Sequence, residues 1–123
     1  MKKNIACITI LMVFCITAVS LGEDTDQNLR AMWNTMTSYL KQGNTEKALK
    51  LIHPMTRNKY AIMFQAIKNE LPQIMSTQID FQLVRISDDT AEYTLKTKEN
   101  GKLYAYEVEF EKWQDGKWYI KEY

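Results

Sequence analysis

A chain of 123 residues, 46% hydrophobic and 25% charged, has the size of one domain with a single core. Its 16 Lys and Arg nearly balance 15 Asp and Glu, which excludes the basic footprint of a nucleic-acid binder and any strong pull toward an anionic membrane. One histidine and two cysteines give no zinc-type ligand set, and neither a glycine-rich phosphate loop nor a paired nucleophile and base is visible, so no metal and no cofactor are expected.

In chain order, Met1 to Ser20 reads as a Sec-type signal peptide. Lys2 and Lys3 form the basic start, an apolar run follows from Ile5 to Val19, and Ala18, Ser20 and Gly22 suit cleavage after residue 20 or 22. The run is shorter than the roughly 20 residues a spanning helix needs, although an uncleaved N-terminal anchor is the alternative. Phe14 occupies the position where a lipoprotein signal ending at Cys15 would carry a small residue, which argues against lipidation. The expected product is therefore exported, periplasmic or secreted, with no stable membrane insertion once the signal is gone. Cys7 and Cys15 leave with it, so residues 23–123 fold without a disulfide, and basic residues fall from 16 to 14 as Lys2 and Lys3 are lost.

The acidic lead Glu23 to Asp26 is expected to cap a helix. Leu29, Met32, Trp33, Met36 and Leu40 recur at helical spacing, and Lys41, Gln42 and Gly43 close that element. Asn44 or Thr45 caps a second, shorter helix with Ala48, Leu49 and Ile52 inward, stopped at His53 by Pro54. A third starts near Thr56 with Tyr60, Met63, Phe64, Ile67 and Leu71 on one side. Pro72 interrupts it, and Gln73 to Ser76 add a turn at an angle.

After Thr77 the period changes from about 3.6 to 2. Ile79, Phe81 and Leu83 share one strand face, with a bulge expected where Val84 and Ile86 break the alternation. Ser87 to Thr90 is the turn. Parity then assigns two further turns. A two-residue Asn100-Gly101 loop pairs Leu95 with Tyr106 and Tyr93 with Val108, and a three-residue Gln114-Asp115-Gly116 loop pairs Lys112 with Trp118 and Phe110 with Ile120. The expected fold class is α+β, with three N-terminal helices packed on a four-stranded antiparallel meander.

Trp33, Leu40, Gly43-Asn44, Ala48-Leu49 and His53-Pro54, followed by Gly101, Asp115-Gly116-Lys117-Trp118 and Ile120, give the chain a resemblance to small exported members of the nuclear transport factor 2-like superfamily. The resemblance runs from about Asp24 to Tyr123. It implies a cone, in which a curved sheet wraps the helices and leaves a cavity at the wide end. Members include isomerases, dehydratases, ligand-binding domains and dimerising adaptors, so the fold does not choose a function.

His53 is the one histidine through which histidine-based proton transfer could run, and Tyr60, Asp80, Tyr104 and Tyr106 are its candidate partners. Asp80, between Ile79 and Phe81, should face water. His53 reads more simply as a helix-end residue with its imidazole near terminal carbonyls. The superfamily's proton-transfer enzymes use a buried carboxylate, and the inner strand positions Tyr93, Leu95, Tyr104, Tyr106, Val108 and Phe110 contain none. These residues favour non-enzymatic binding of a small apolar or lipid-like ligand, in a cavity lined by Trp33, Met36, Tyr60, Phe64, Tyr93, Tyr104, Tyr106 and Val108. The outer face, with Glu107, Glu109, Tyr119 and Tyr123, is either a solvated charge-paired surface or the interface of a homodimer.

Overall fold

A computed structural model describes the backbone of residues 2–123 and the side chains of residues 22–123. The expected signal segment lies outside the residues whose side chains are described. The elements are α1 (Lys2–Lys41), α2 (Thr45–Leu49), α3 (Arg57–Ala66), α4 (Leu71–Ser76), β1 (Gln78–Ile86), β2 (Thr90–Glu99), β3 (Lys102–Lys112) and β4 (Trp118–Glu122). The four strands pair antiparallel in the order β1-β2-β3-β4, giving an α+β fold with an open sheet. Among the described residues no helix is long and apolar enough to cross a membrane.

Leu29, Trp33, Met36 and Leu40 line the buried stripe of α1, as their spacing requires. They meet Ala48, Ile52, Tyr60 and Phe64 from the short helices and the loop between them, and Tyr93, Leu95, Val108, Phe110 and Ile120 from the sheet. Glu23 to Asp26 lie within α1 instead of capping it, because that helix continues in the N-terminal direction.

Two helix expectations change. Asn44 does cap α2, its side chain accepting from the Lys47 N–H at 3.3 Å, but α2 ends at Leu49 and not at His53. Residues 51–53 instead run parallel to β4. The His53 N–H donates to the Ile120 carbonyl at 2.8 Å, and the Ile120 N–H donates to the Leu51 carbonyl at 2.9 Å. A bare strand edge leaves unpaired backbone groups, and this addition satisfies those of Ile120 at the centre of β4. The third helix is interrupted as expected and a further turn runs to Ser76, but the break comes earlier than Pro72: the ladder ends at Ile67, and Pro72 sits in the first turn of a separate α4, where its missing N–H costs no helical bond. Among the described residues there are four helices and not three.

Every hairpin pairing derived from parity is present: Leu95 with Tyr106, Tyr93 with Val108, Lys112 with Trp118, and Phe110 with Ile120. Asn100 and Gly101 take φ of 53° and 78°, the positive pair a two-residue turn of this type needs. At the other turn the Gly116 N–H returns to the Trp113 carbonyl at 2.9 Å, and the Trp113 N–H reaches the Lys117 carbonyl at 3.0 Å. Gly116 is left-handed at φ 76°, as a three-residue loop closed by a bulge demands.

Two other bulges overturn parity. In β1 the register slips at Ile79 as well as at Val84, so Ile79 is the extra residue, 57% exposed, and Gln78 takes the inward position opposite Thr97. In β4 the register slips between the partners of Glu109 and Phe110, leaving Lys121 as the extra residue. Beyond it the alternation inverts, and Tyr123 turns inward.

Candidate functional site

Between the inner sheet face, α1 and α4 lies a cavity of about 200 Å³, lined by Trp33, Ile74, Met75, Thr77, Gln78, Leu95, Thr97, Glu99, Tyr106 and Tyr123. Its walls are set by aromatic stacking. Trp33 lies flat against Phe81 with centroids 5.2 Å apart and meets Tyr123 edge-on at 5.2 Å. The Trp33 indole N–H donates to Gln78 Oε1 at 3.1 Å, which ties the ring to the start of β1. Tyr123 stacks on Tyr60 at 4.8 Å, and its buried hydroxyl has no hydrogen-bond partner. Burial pushes the Tyr123 phenol pKa well up, so it is a proton donor and never a base at neutral pH.

At the rim, Thr97 Oγ1 and the Tyr106 hydroxyl both donate to Glu99 Oε2, at 2.7 and 2.9 Å. The bond to Glu99 raises the Tyr106 pKa by holding the phenol proton in place. Of the residues expected to line the cavity, Trp33 and Tyr106 do so. Met36, Phe64, Tyr93 and Val108 are instead buried in the core, and Tyr60 supports the cavity from behind Tyr123. Tyr104 and Tyr106 lie on the expected face but are 43% and 42% exposed, since the β2–β3 hairpin projects past the helices that cover its base.

A wider trough of about 1020 Å³ runs over Gln42 to Glu46, Leu49 and the outer side of α3. It is an open surface groove without a buried polar side chain in its wall, and it offers a ligand little enclosure.

An inner carboxylate does exist, contrary to the strand pattern alone. Asp26, from α1, accepts from the Tyr93 hydroxyl at 2.6 Å and from Arg30 Nε at 2.9 Å, both at Oδ1. The Arg30 guanidinium also donates to the Phe81 carbonyl at 2.5 Å and lies over the rings of Phe81 and Tyr93. Burial, then the bond to Asp26, drives the Tyr93 pKa upward. These three side chains satisfy one another and fasten α1 to the sheet.

The structure joins His53 to none of its expected partners. Tyr60 bonds the C-terminal strand, accepting from the Tyr123 N–H at 2.9 Å and donating toward Glu122 and the Tyr123 carbonyl. Asp80 is exposed, as expected, and accepts from the Phe81 N–H and from Gln82. His53 is fully buried on the other side of the sheet edge. Its Nδ1 accepts from the Met55 N–H at 3.1 Å, so its proton sits on Nε2, which faces Glu111 Oε1 at 3.8 Å without a hydrogen bond. Glu111 is held by Lys121 at 2.6 Å, and the rings of Trp113 and Tyr119 close over the imidazole edge-on at 5.1 and 6.1 Å. Burial lowers the His53 pKa, with Glu111 opposing.

Sequence reasoning missed Glu111 because it read as one of three solvated glutamates. The signal that could have found it is its parity match with Tyr119 across the Gly116 hairpin. Of the proposed interface residues, Glu107 is exposed and Glu109 half-buried, and Tyr119 is engaged with Asp115 at 2.6 Å. Tyr123 is inside, for the reason of the Lys121 bulge. Among the described residues no group of three or more metal-binding side chains converges. Compared with known proteins, the chain matches no family model, no curated protein and no solved structure.

Removing the Tyr60 hydroxyl tests how the C-terminus is held. Tyr60→Phe is expected to lower the unfolding free energy by about 1–3 kcal/mol, because the Tyr123 N–H loses its acceptor where water is scarce. Urea unfolding reads this, and an unchanged midpoint would show that the strand end is secured by stacking alone.

Proposed function

We propose that the protein is an exported, non-enzymatic binding module for a small apolar ligand, held between the sheet and α4. One observation carries this reading: the cavity stays open. Trp33 is turned flat onto Phe81, Tyr106 lines the cavity from its rim and is 42% exposed, and Tyr104 stands outside it, so none of the three fills it. An apolar cavity of about 150 Å³ takes benzene, so about 200 Å³ suits one ring with a short substituent, or a short acyl chain. Catalysis has less support. The inner carboxylate of Asp26 is consumed by Tyr93 and Arg30, and His53 lies outside the cavity lining.

The same reading takes the sheet as the wall of a cone, as the resemblance to nuclear transport factor 2-like proteins implies. Bulges in β1 and β4 and at Gly116 support it, because each adds local twist to the strand carrying it. Export is supported by the basic start, apolar run and small residues of the first 22 positions.

Thermal unfolding with toluene and with indole is the test. A ligand at a hundred times its dissociation constant stabilises by about 2.7 kcal/mol, enough for a clear rise in Tm. Leu95→Phe, which fills the cavity from its wall, is expected to abolish the rise. No shift in the wild type, or an equal shift in both proteins, defeats the proposal.

A further inference from the structure

Of the side chains lining the cavity, one is charged, that of Glu99 at the rim. Its side chain is held in a fixed position, because Thr97 and Tyr106 each donate to Oε2. Both donors are neutral, so the charge is oriented but not compensated. Among the described residues no donor reaches Oε1, and Glu99 forms no ion pair. Lys102 is its cross-strand partner on the same face, yet no ion pair joins them. The remaining side-chain nitrogens and oxygens of the lining belong to amide, hydroxyl and indole groups, none of which offers a positive charge to an anion.

The aromatic side chains point the same way. Trp33, Tyr106 and Tyr123 contribute three rings to a lining of ten residues. Ring faces carry negative potential and attract cations, most strongly where water is excluded. A carboxylate ligand would approach Glu99 without a counter-charge. A neutral ligand would leave Oε1 as it stands. An organic cation would give Oε1 a charge-assisted hydrogen bond, shorter and stronger than a neutral one.

Resting on the cavity reading above, we propose that the ligand is a small organic cation, an ammonium or amidinium head on an apolar body about one ring in size. The head bonds Glu99 Oε1 at the rim. The body lies inside against Trp33, Leu95 and Met75. This assignment excludes fatty-acid and other carboxylate ligands from the site, although their tails would match its walls.

Isothermal titration with three probes of similar shape, benzylamine, benzyl alcohol and benzoate, separates the two levels of the proposal. At neutral pH benzylamine is expected to bind about tenfold or more tightly than benzyl alcohol, with benzoate weakest. Added salt should weaken the amine and leave the alcohol unaffected. Glu99→Gln keeps an acceptor oxygen for Thr97 and Tyr106 while removing the charge, so it should retain alcohol binding and lose the amine's advantage. Lys102→Ala gives an independent reading, because removing a competing cation from the same face should tighten the amine about twofold or more. Equal binding of amine and alcohol by the wild type, an advantage that survives Glu99→Gln, or weaker amine binding in Lys102→Ala overturns the charge assignment and leaves the cavity reading standing. Failure of all three probes to bind overturns both.

Discussion

Trp33→Ala is expected to destabilise the domain by about 3–5 kcal/mol, the range for truncating a large buried aromatic side chain. Trp33 is 1% exposed and joins three parts of the structure at once. Its ring stacks on Phe81 of β1, its edge meets Tyr123 beyond β4, and its N–H bonds Gln78 at the start of the sheet. Deleting it removes the contact that holds α1 over both edges of the sheet and merges its own volume with the cavity beside it. Domains of this size are stable by about 5–15 kcal/mol in total, so the variant should sit near the edge of folding. Urea unfolding followed by far-UV circular dichroism measures the loss. Trp33→Phe is the partial test, retaining a stacked ring while freeing Gln78, and should fall between the two. A loss below about 1 kcal/mol for Trp33→Ala would mean that the helix is held by its other contacts.

Acidification is expected to weaken the fold through His53. The imidazole is buried, and its Nδ1 is committed as an acceptor to the Met55 N–H. Protonation would set two N–H groups against each other and place a charge under the rings of Trp113 and Tyr119. The charged groups around it are Glu111 and Lys121 on the strands, Arg57 on α3 and Asp115 in the turn. Glu111 and Asp115 favour protonation, while Lys121 and Arg57 oppose it, and desolvation outweighs them all. The folded pKa therefore lies below the 6.5 of the unfolded chain. The sign follows from the proton count: between the two values the unfolded chain binds more protons than the fold. Stability is complete above pH 6.5 and is lost as the pH falls through the folded value, at about 1.4 kcal/mol for each unit separating them.

Other groups titrate lower or in the opposite sense. The Glu122 and Asp115 carboxyls are held below their ordinary 4.5 and 3.8 by Lys59 and Tyr119 respectively. Burial raises the Glu109 carboxyl, which returns some stability as the pH falls toward 4.5. The comparison with His53→Asn removes these shared contributions, since Asn offers an oxygen to the Met55 N–H but cannot take the proton. The variant should be less stable than the wild type at neutral pH and show a flatter profile as the pH falls below 6.5. Parallel profiles for the two proteins would show that His53 is not the titrating group.

Both hairpins were legible in the sequence down to individual pairs. A turn of known length ties two runs together, and parity then leaves one register in which both apolar faces coincide. The same logic failed at Tyr123 and Ile79. A bulge inserts one residue and inverts every position beyond it, and nothing in Tyr119 to Tyr123 distinguishes a regular strand from one bulged at Lys121. That single residue moved Tyr123 from a proposed interface to the wall of the cavity. Trp33 and Tyr106 were identifiable as cavity residues from helical spacing and strand parity. Glu99 was not, because a carboxylate next to an Asn-Gly turn looks solvated until its neighbours are known.

Local chemistry in the sequence was enough to determine the α+β class, the meander, the turn types and the buried stripe of α1, since each depends on residues within one element or one hairpin. Only the tertiary structure decided which face of the sheet edge His53 would occupy, that Asp26 would meet Tyr93, and that an open volume would remain beside Trp33. Those three depend on segments far apart in the chain. Leu51 to His53 add to β4 because its edge has unpaired backbone groups, and Asp26 reaches Tyr93 because α1 crosses the sheet there. Long-range contacts of this kind are fixed by how whole elements pack, and no periodicity along the chain encodes them.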